Sequence, residues 1–224
     1  MKIYILLLIT VISSLYAASP NPVFGENGMV VSTNVHASEA GVAILKKGGN
    51  AIDAAVAIGF TLAVTCPENG NLGGGGFIIG ATSDGKIFSQ DHREKAPSRS
   101  HRDMFLDNNG SVIPGMSLTS RASSGVPGTV HGLLSAWSDH GSGNIRLQRL
   151  LSSAIRLAEK GFLLSYYQAE LFNSYKDNFA STKGASIIFI RKDNRPWKQG
   201  DLFVQKDLAK TLKRIAKNGI DGFY

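Results

Sequence analysis

Apolar and polar positions alternate along this chain at two periods, and the switches between them divide it into helical and extended stretches. Gly28-Met29-Val30-Val31-Ser32 predicts a short strand, and Ser32 or Thr33 an N-cap for the helix that follows, from about His36 to Lys47. Val42, Ile44 and Leu45 are expected on its buried side, with Gly48-Gly49 as the left-handed stop. Asn50 then caps a second helix, Ala51 to about Val64, whose apolar residues run nearly all the way round, so it belongs inside the protein. Asp53, in its first turn, is expected to serve the cap and the helix dipole.

Pro67 ends that helix. A glycine-rich run follows, Asn69-Gly70-Asn71-Leu72-Gly73-Gly74-Gly75-Gly76. Phe77 to Ala81 and Lys86 to Ser89 flank Ser83-Asp84-Gly85, and Asp-Gly between two apolar runs predicts a β-hairpin. Arg93 falls just beyond its second strand. A polar, irregular stretch runs from Pro97 through Ser124, with a turn at Asp107 to Gly110. Gly125 to Thr129 leads into a helix through about Trp137. Helices follow over Leu147 to Lys160 and Tyr166 to Asn178, then a strand at Ile187 to Ile190 and an amphipathic helix from Gln205 to Lys217 stopped by Gly219.

Of the 224 residues 43% are hydrophobic and 18% charged, enough to bury one sizeable core. The net charge of +7 is partly carried by Lys206 to Lys217, on a helical pattern without interleaved aromatics. That favours a solvated helix face over a nucleic-acid surface. Cys66 is the single cysteine, so no internal disulfide forms, and a partly buried structural thiol is expected. Met1-Lys2, the apolar run Ile3 to Leu15 and the small residues Ala17-Ala18-Ser19 have the layout of a secretory signal peptide over residues 1–18. The rest, 19–224, is expected to be exported, periplasmic or secreted, with no membrane association after cleavage.

The glycine run is not a nucleotide loop. A phosphate loop requires GxxxxGK[ST], and a dinucleotide fingerprint requires a strand before the glycines and a helix after them; here the order is reversed. What remains is close approach of backbone to backbone or to ligand. The five histidines show no metal-ligand spacing and GxSxG is absent, so no metal or cofactor is expected and no catalytic residue is assigned. Arg93 is the candidate substrate-binding residue, because a guanidinium fork matches a carboxylate bidentately. Glu94 beside it orients a neighbour or is simply solvated.

Taken in order, GGNAIDAAVAIGFTLAVTCPENGNLGGGGF, DHREKAPSRSHRDMF, SGVPGTVHG and FVQKDLAKTLKRIAKNG resemble the N-terminal part of the large subunit of bacterial gamma-glutamyltranspeptidases, also called glutathione hydrolases. The resemblance runs from Gly28 to Tyr224. It implies an α+β fold, the four-layer αββα sandwich of N-terminal nucleophile hydrolases, only partly represented in this chain. It further implies cleavage of the gamma-glutamyl bond of glutathione and related donors, with water or an amino acid as acceptor. In that chemistry a threonine at the new N-terminus of a small subunit is the nucleophile. Arg93 matches the arginine that binds the glutamyl α-carboxylate, the glycines Gly73 to Gly76 match the family's loop, and His92 stands where relatives are often aromatic. The threonine and the remaining substrate contacts fall beyond Tyr224, so this chain alone is expected to be inactive and to partner the remainder of the enzyme, small subunit included. The alternative is a truncated, non-catalytic product that binds gamma-glutamyl ligands at most; an unrelated envelope binding module would need the ordered matches to be coincidence.

Overall fold

The computed structural model describes residues 21–69 and 71–224; the signal-peptide expectation falls outside them. Helix α1 (Val35–Leu45) and helix α2 (Ala51–Thr65) form an antiparallel pair. The cap of α1 is Asn34, whose Oδ1 accepts from His36 N–H at 3.0 Å, instead of Ser32 or Thr33. Ser32 instead bonds Ser38 Oγ at 2.8 Å. Ile44 is buried and Leu45 half-buried, but Val42 points to solvent. Gly48 takes the positive φ of 83° expected of the stop.

Helix α2 is the axis of the core. Val56, Phe60 and Val64 are fully buried. Asn50 and Asp53 form a capping box, and Asp53 Oδ2 also accepts from Ser142 N–H at 3.1 Å. At the other end the orphaned carbonyls are met by side-chain amides from distant segments. Gln205 Nε2 donates to Val64 O at 2.8 Å and Gln168 Nε2 to Thr65 O at 2.6 Å. Both glutamines are buried, so each bond replaces a water contact that the site excludes.

The hairpin forms as expected: β1 (Phe77–Ala81) pairs antiparallel with β2 (Ile87–Asp91), in the register Phe77 opposite Asp91 and Ala81 opposite Ile87. After a short helix, α3 (Met116–Thr119), the chain enters α4 (Thr129–His140). The helix expected over Leu147 to Lys160 is two, α5 (Leu147–Leu150) and α6 (Ser152–Lys160), broken at Leu151 so that both Leu150 and Leu151 are buried. The next is also split, into α7 (Tyr166–Ser174) and α8 (Lys176–Ala180), at Tyr175. A second two-stranded sheet joins β3 (Phe162–Leu163) to β4 (Leu202–Phe203). The amphipathic helix α10 (Lys206–Asn218) buries Ala209, Leu212, Ile215 and Ala216 against α6, and Gly219 (φ 64°) stops it.

Two expected strands are absent. Ile187 to Ile190 lies largely in helix α9 (Lys183–Phe189), where Phe189 stacks on Phe179 at 4.6 Å and its carbonyl accepts from Trp197 Nε1 at 2.7 Å. Packing of the aromatic ring outweighs the modest β preference of isoleucine. Residues 28–32 do alternate, with Val30 against Gly41 and Met29 and Val31 outward, but among the described residues no strand pairs with them. Without a neighbour, the alternation makes no sheet. No helix among the described residues is long and apolar enough to cross a membrane.

Candidate functional site

Arg93 sits where three backbone segments converge. The hairpin pairing continues one step past β1 and β2: His92 N–H donates to Gly76 O at 3.0 Å, and Gly76 N–H to His92 O at 3.3 Å. On the other flank Lys95 and Val126 exchange backbone hydrogen bonds at 3.1 and 2.8 Å. The glycine loop is tied to the start of α4, since Gly74 O accepts from both Gly128 N–H (2.8 Å) and Thr129 N–H (3.0 Å). Two of the orphan donors at that helix N-terminus are thereby satisfied by the loop.

The glycines are there because the backbone around Arg93 is touched from both sides. A Cβ on Gly75 would lie 2.6 Å from His92 O and 2.8 Å from Arg93 Cα; one on Gly128 would strike His92 O, and one on Gly132 the His92 ring. The His92 imidazole therefore packs onto a bare stretch of α4. Burial pushes its pKa below the usual histidine range, His131 adding to the effect and Asp91 and Glu94 opposing it. Its Nδ1 is buried without a hydrogen-bond partner among the described residues. Gln90 Nε2 donates to Gly132 O at 2.7 Å, which ties β2 itself to α4.

The Arg93 side chain leaves this clamp into the open, 62% exposed. Its backbone N–H is held by Asp91 Oδ1 at 2.9 Å, its Nε donates to Glu94 Oε2 at 3.1 Å, and its guanidinium lies 5.8 Å from the Phe77 ring centroid. Glu94 thus orients its neighbour, and its carboxyl is held below the usual carboxylate range, by its own backbone N–H first and by Arg93 second. Among the described residues no protein group engages the two Nη groups of Arg93, the end of the fork that carries four of its five donors. Arg93 stands between two recesses. One, of about 660 Å³, is walled by His92, Lys95, His131, Asp139 and Tyr224; the other, of about 550 Å³, by Lys95, Pro97, Met104, Phe105 and Ser124. Arg93, Glu94 and Lys95 line both, and Asp91 and Asp139 add carboxylates to the first, so the walls are of mixed charge and the place for a small carboxylate is at the Arg93 head itself.

No group of three or more His, Cys, Asp or Glu side chains among the described residues is arranged to hold a metal ion. Beside Arg93, again among the described residues, no hydroxyl is hydrogen-bonded to a histidine or carboxylate that would activate it. The sequence singles out Arg93 and the glycine run as candidates but gives no role to Gly128 and Gly132. Their signal was the bare SGVPGTVHG block, whose small residues mark close approach.

The family model described as gamma-glutamyltranspeptidase matches residues 37–224. The chain belongs to the gamma-glutamyltranspeptidase family. It is 47% identical over 212 residues to a glutathione hydrolase proenzyme of Pseudomonas sp. (strain A14) and 43% identical over 204 residues to that of Escherichia coli (strain K12). These alignments take in 94% and 91% of this chain but only 36% and 35% of the relatives, so the chain spans about a third of their length. Its structure superposes on Helicobacter pylori gamma-glutamyltranspeptidase with a TM-score of 0.87 at 43% identity, over 91% of this chain and 58% of that one. On gamma-glutamyltranspeptidase from Pseudomonas nitroreducens the TM-score is 0.79 at 40% identity. The fold is accordingly α+β, part of the N-terminal nucleophile hydrolase architecture of the family.

Proposed function

We propose that this chain supplies the α-carboxylate clamp of an exported gamma-glutamyltransferase or glutathione hydrolase, with Arg93 as its binding residue. The observation that carries the reading is the unengaged end of the Arg93 fork on a recess wall, fixed by backbone contacts that glycine alone permits. A planar fork aimed from a fixed backbone matches a carboxylate at low ordering cost. The activity follows from family membership. The donor is glutathione or a related gamma-glutamyl compound, and water or an amino acid accepts the glutamyl group. The nucleophile in this reading is a threonine supplied by the remainder of the enzyme, in keeping with the absence, among the described residues, of an activated hydroxyl beside Arg93. The basic and apolar N-terminal residues support export, to the periplasm or beyond.

Kinetics of the complete enzyme containing this segment test the clamp. Arg93→Ala is expected to lose about 2–5 kcal/mol of donor binding, read as a raised KM for glutathione, while Arg93→Lys keeps part of it. An unchanged KM in Arg93→Ala would overturn the assignment. A second reading, a product that binds gamma-glutamyl ligands without turning them over, is favoured by the same lack of an activated hydroxyl. Release of glutamate from glutathione by the 224-residue chain alone would exclude it.

A further inference from the structure

A third recess, sharing no lining residue with the two at Arg93, lies beside the end of α2. It measures about 400 Å³ and is lined by Glu68 and by the rings of Tyr167, Phe172, Tyr175, Phe179 and Phe189. The rings form a connected set. Phe172 meets Phe189 edge-on at 5.3 Å, Phe179 stacks on Phe189, and Tyr175 tilts over Phe179 at 6.4 Å.

The carboxylate is the unexplained member. Glu68 Oε1 accepts a hydrogen bond from the Cys66 thiol at 3.4 Å. That donor is weak, and it stays protonated: burial first, and the Glu68 charge second, push the thiol pKa up. Glu68 Oε2 is closed off from solvent and has no hydrogen-bond partner among the described residues. A buried carboxylate oxygen without a donor is costly, so a native structure that keeps one calls for an explanation.

We infer that this recess binds a primary alkylammonium group. Ring faces carry negative quadrupole potential and attract a cation, as does the carboxylate, whereas both repel an anion. None of the described lining residues is basic, so nothing there competes for the charge. An N–H donor is needed because Oε2 is unmet, which excludes quaternary ammonium as the best fit. A single donor suffices because Oε1 is already engaged by the thiol, which disfavours the two-pronged guanidinium. The last torsion of a glutamate side chain is soft, so a small rotation brings Oε2 to the recess while Oε1 stays within reach of the thiol. An alkyl stem would lie along Phe172 and Phe189, and the volume suits a small ligand. The same chemistry comes from a free small amine or from a lysine side chain of another polypeptide.

Calorimetric titration of the 224-residue chain with n-butylammonium tests this, with n-butanol, tetramethylammonium and Nα-acetyl-lysine amide as comparison probes. Saturable binding of butylammonium is expected, with butanol and tetramethylammonium each at least about tenfold weaker. Glu68→Gln, nearly isosteric, is expected to weaken butylammonium about tenfold, Tyr175→Ala at the exposed rim about threefold, and Arg93→Ala not at all. Binding of acetyl-lysine amide as tight as that of butylammonium identifies a lysine side chain as the occupant; binding of butylammonium alone identifies a small amine. No saturable butylammonium binding, binding matched by butanol, or an unchanged affinity in Glu68→Gln would each overturn the inference, whatever becomes of the Arg93 clamp. Should Glu68→Gln fail to fold, the butanol and Tyr175→Ala comparisons decide alone.

Discussion

The α2 core and the hairpin that carries Arg93 are held by different means. Around α2 the contacts are made by side chains: Phe60, Val56 and Val64 are fully buried, helices α1, α4 and α6 pack on α2, and α10 packs on α6 in turn. The hairpin is held from one side. Phe88, stacked on His140 at 3.7 Å, and Gln90 reach α4 and Ile78 packs against the core, while Phe77, Ile79 and Ile87 face outward. Ile79 is 81% exposed where Phe60 is 0%. What fixes the Arg93 end of the hairpin is close approach to bare backbone, by the His92 and Arg93 main chain at Gly75 and Gly128 and by the His92 ring at Gly132. The core therefore answers to side-chain volume, and the site layer answers to the absence of side chains.

The largest effect expected from breaking this contrast is on the core side. Phe60→Ala should cost about 3–5 kcal/mol in chemical denaturation, the usual penalty for emptying a buried aromatic site; a loss below about 1 kcal/mol would show that the core is not close-packed there. Next comes Gly132→Ala. Adding one methyl drives into the His92 ring and is expected to cost about 1–3 kcal/mol, although alanine is the better helix former by about 1 kcal/mol. A gain in melting temperature would mean that His92 yields easily and that the clamp is loose.

Smaller still is the acid response of a third region. Arg191 binds Asp193 and Asp201, and with Arg191 as the first cause the Asp193 carboxyl is pushed down from 3.8 to about 2. A depressed carboxylate stabilises the fold above its unfolded value and loses that contribution as pH falls through the folded one. Asp193→Asn should therefore melt slightly below the parent protein above about pH 4, and the difference should close as pH drops toward 2; a constant offset across that range would rule out the pair as its source. The smallest effect is expected on the outer face of the hairpin. Ile79→Ser should stay within about 0.5 kcal/mol in the isolated chain, and in the complete enzyme a larger loss would mark that face as covered by the remainder.

Periodicity carried the helices well where one principle dominated. The buried α2, its Asn50 cap, the Asp-Gly turn and the amphipathic α10 are each fixed within a few neighbouring residues, so a linear reading finds them. It failed where distant groups decided. Leu151 and Tyr175 interrupt helices whose pattern runs on, because burying both Leu150 and Leu151, or bringing the rings of α7, α8 and α9 together, needs a change of direction. Ile187 to Ile190 became helix for the sake of Phe189. At the site, Arg93 and the glycine run were legible as residue types, but the partners Gly128 and Gly132 lie about 35 to 40 residues further along and carry no side chain to announce a role.

The family and the helical core are legible in the sequence, since these rest on residue types in order and on local periodicity, and Arg93 is singled out there only as a candidate. Only the tertiary contacts settle that Gln168 and Gln205 cap α2, that His92 lies on bare helix, and that Arg93 projects with Nε on Glu94 and both Nη groups without a partner among the described residues. Those outcomes depend on which backbone groups are left without partners once the chain has closed, and that is a property of three-dimensional contact that no spacing along the chain encodes.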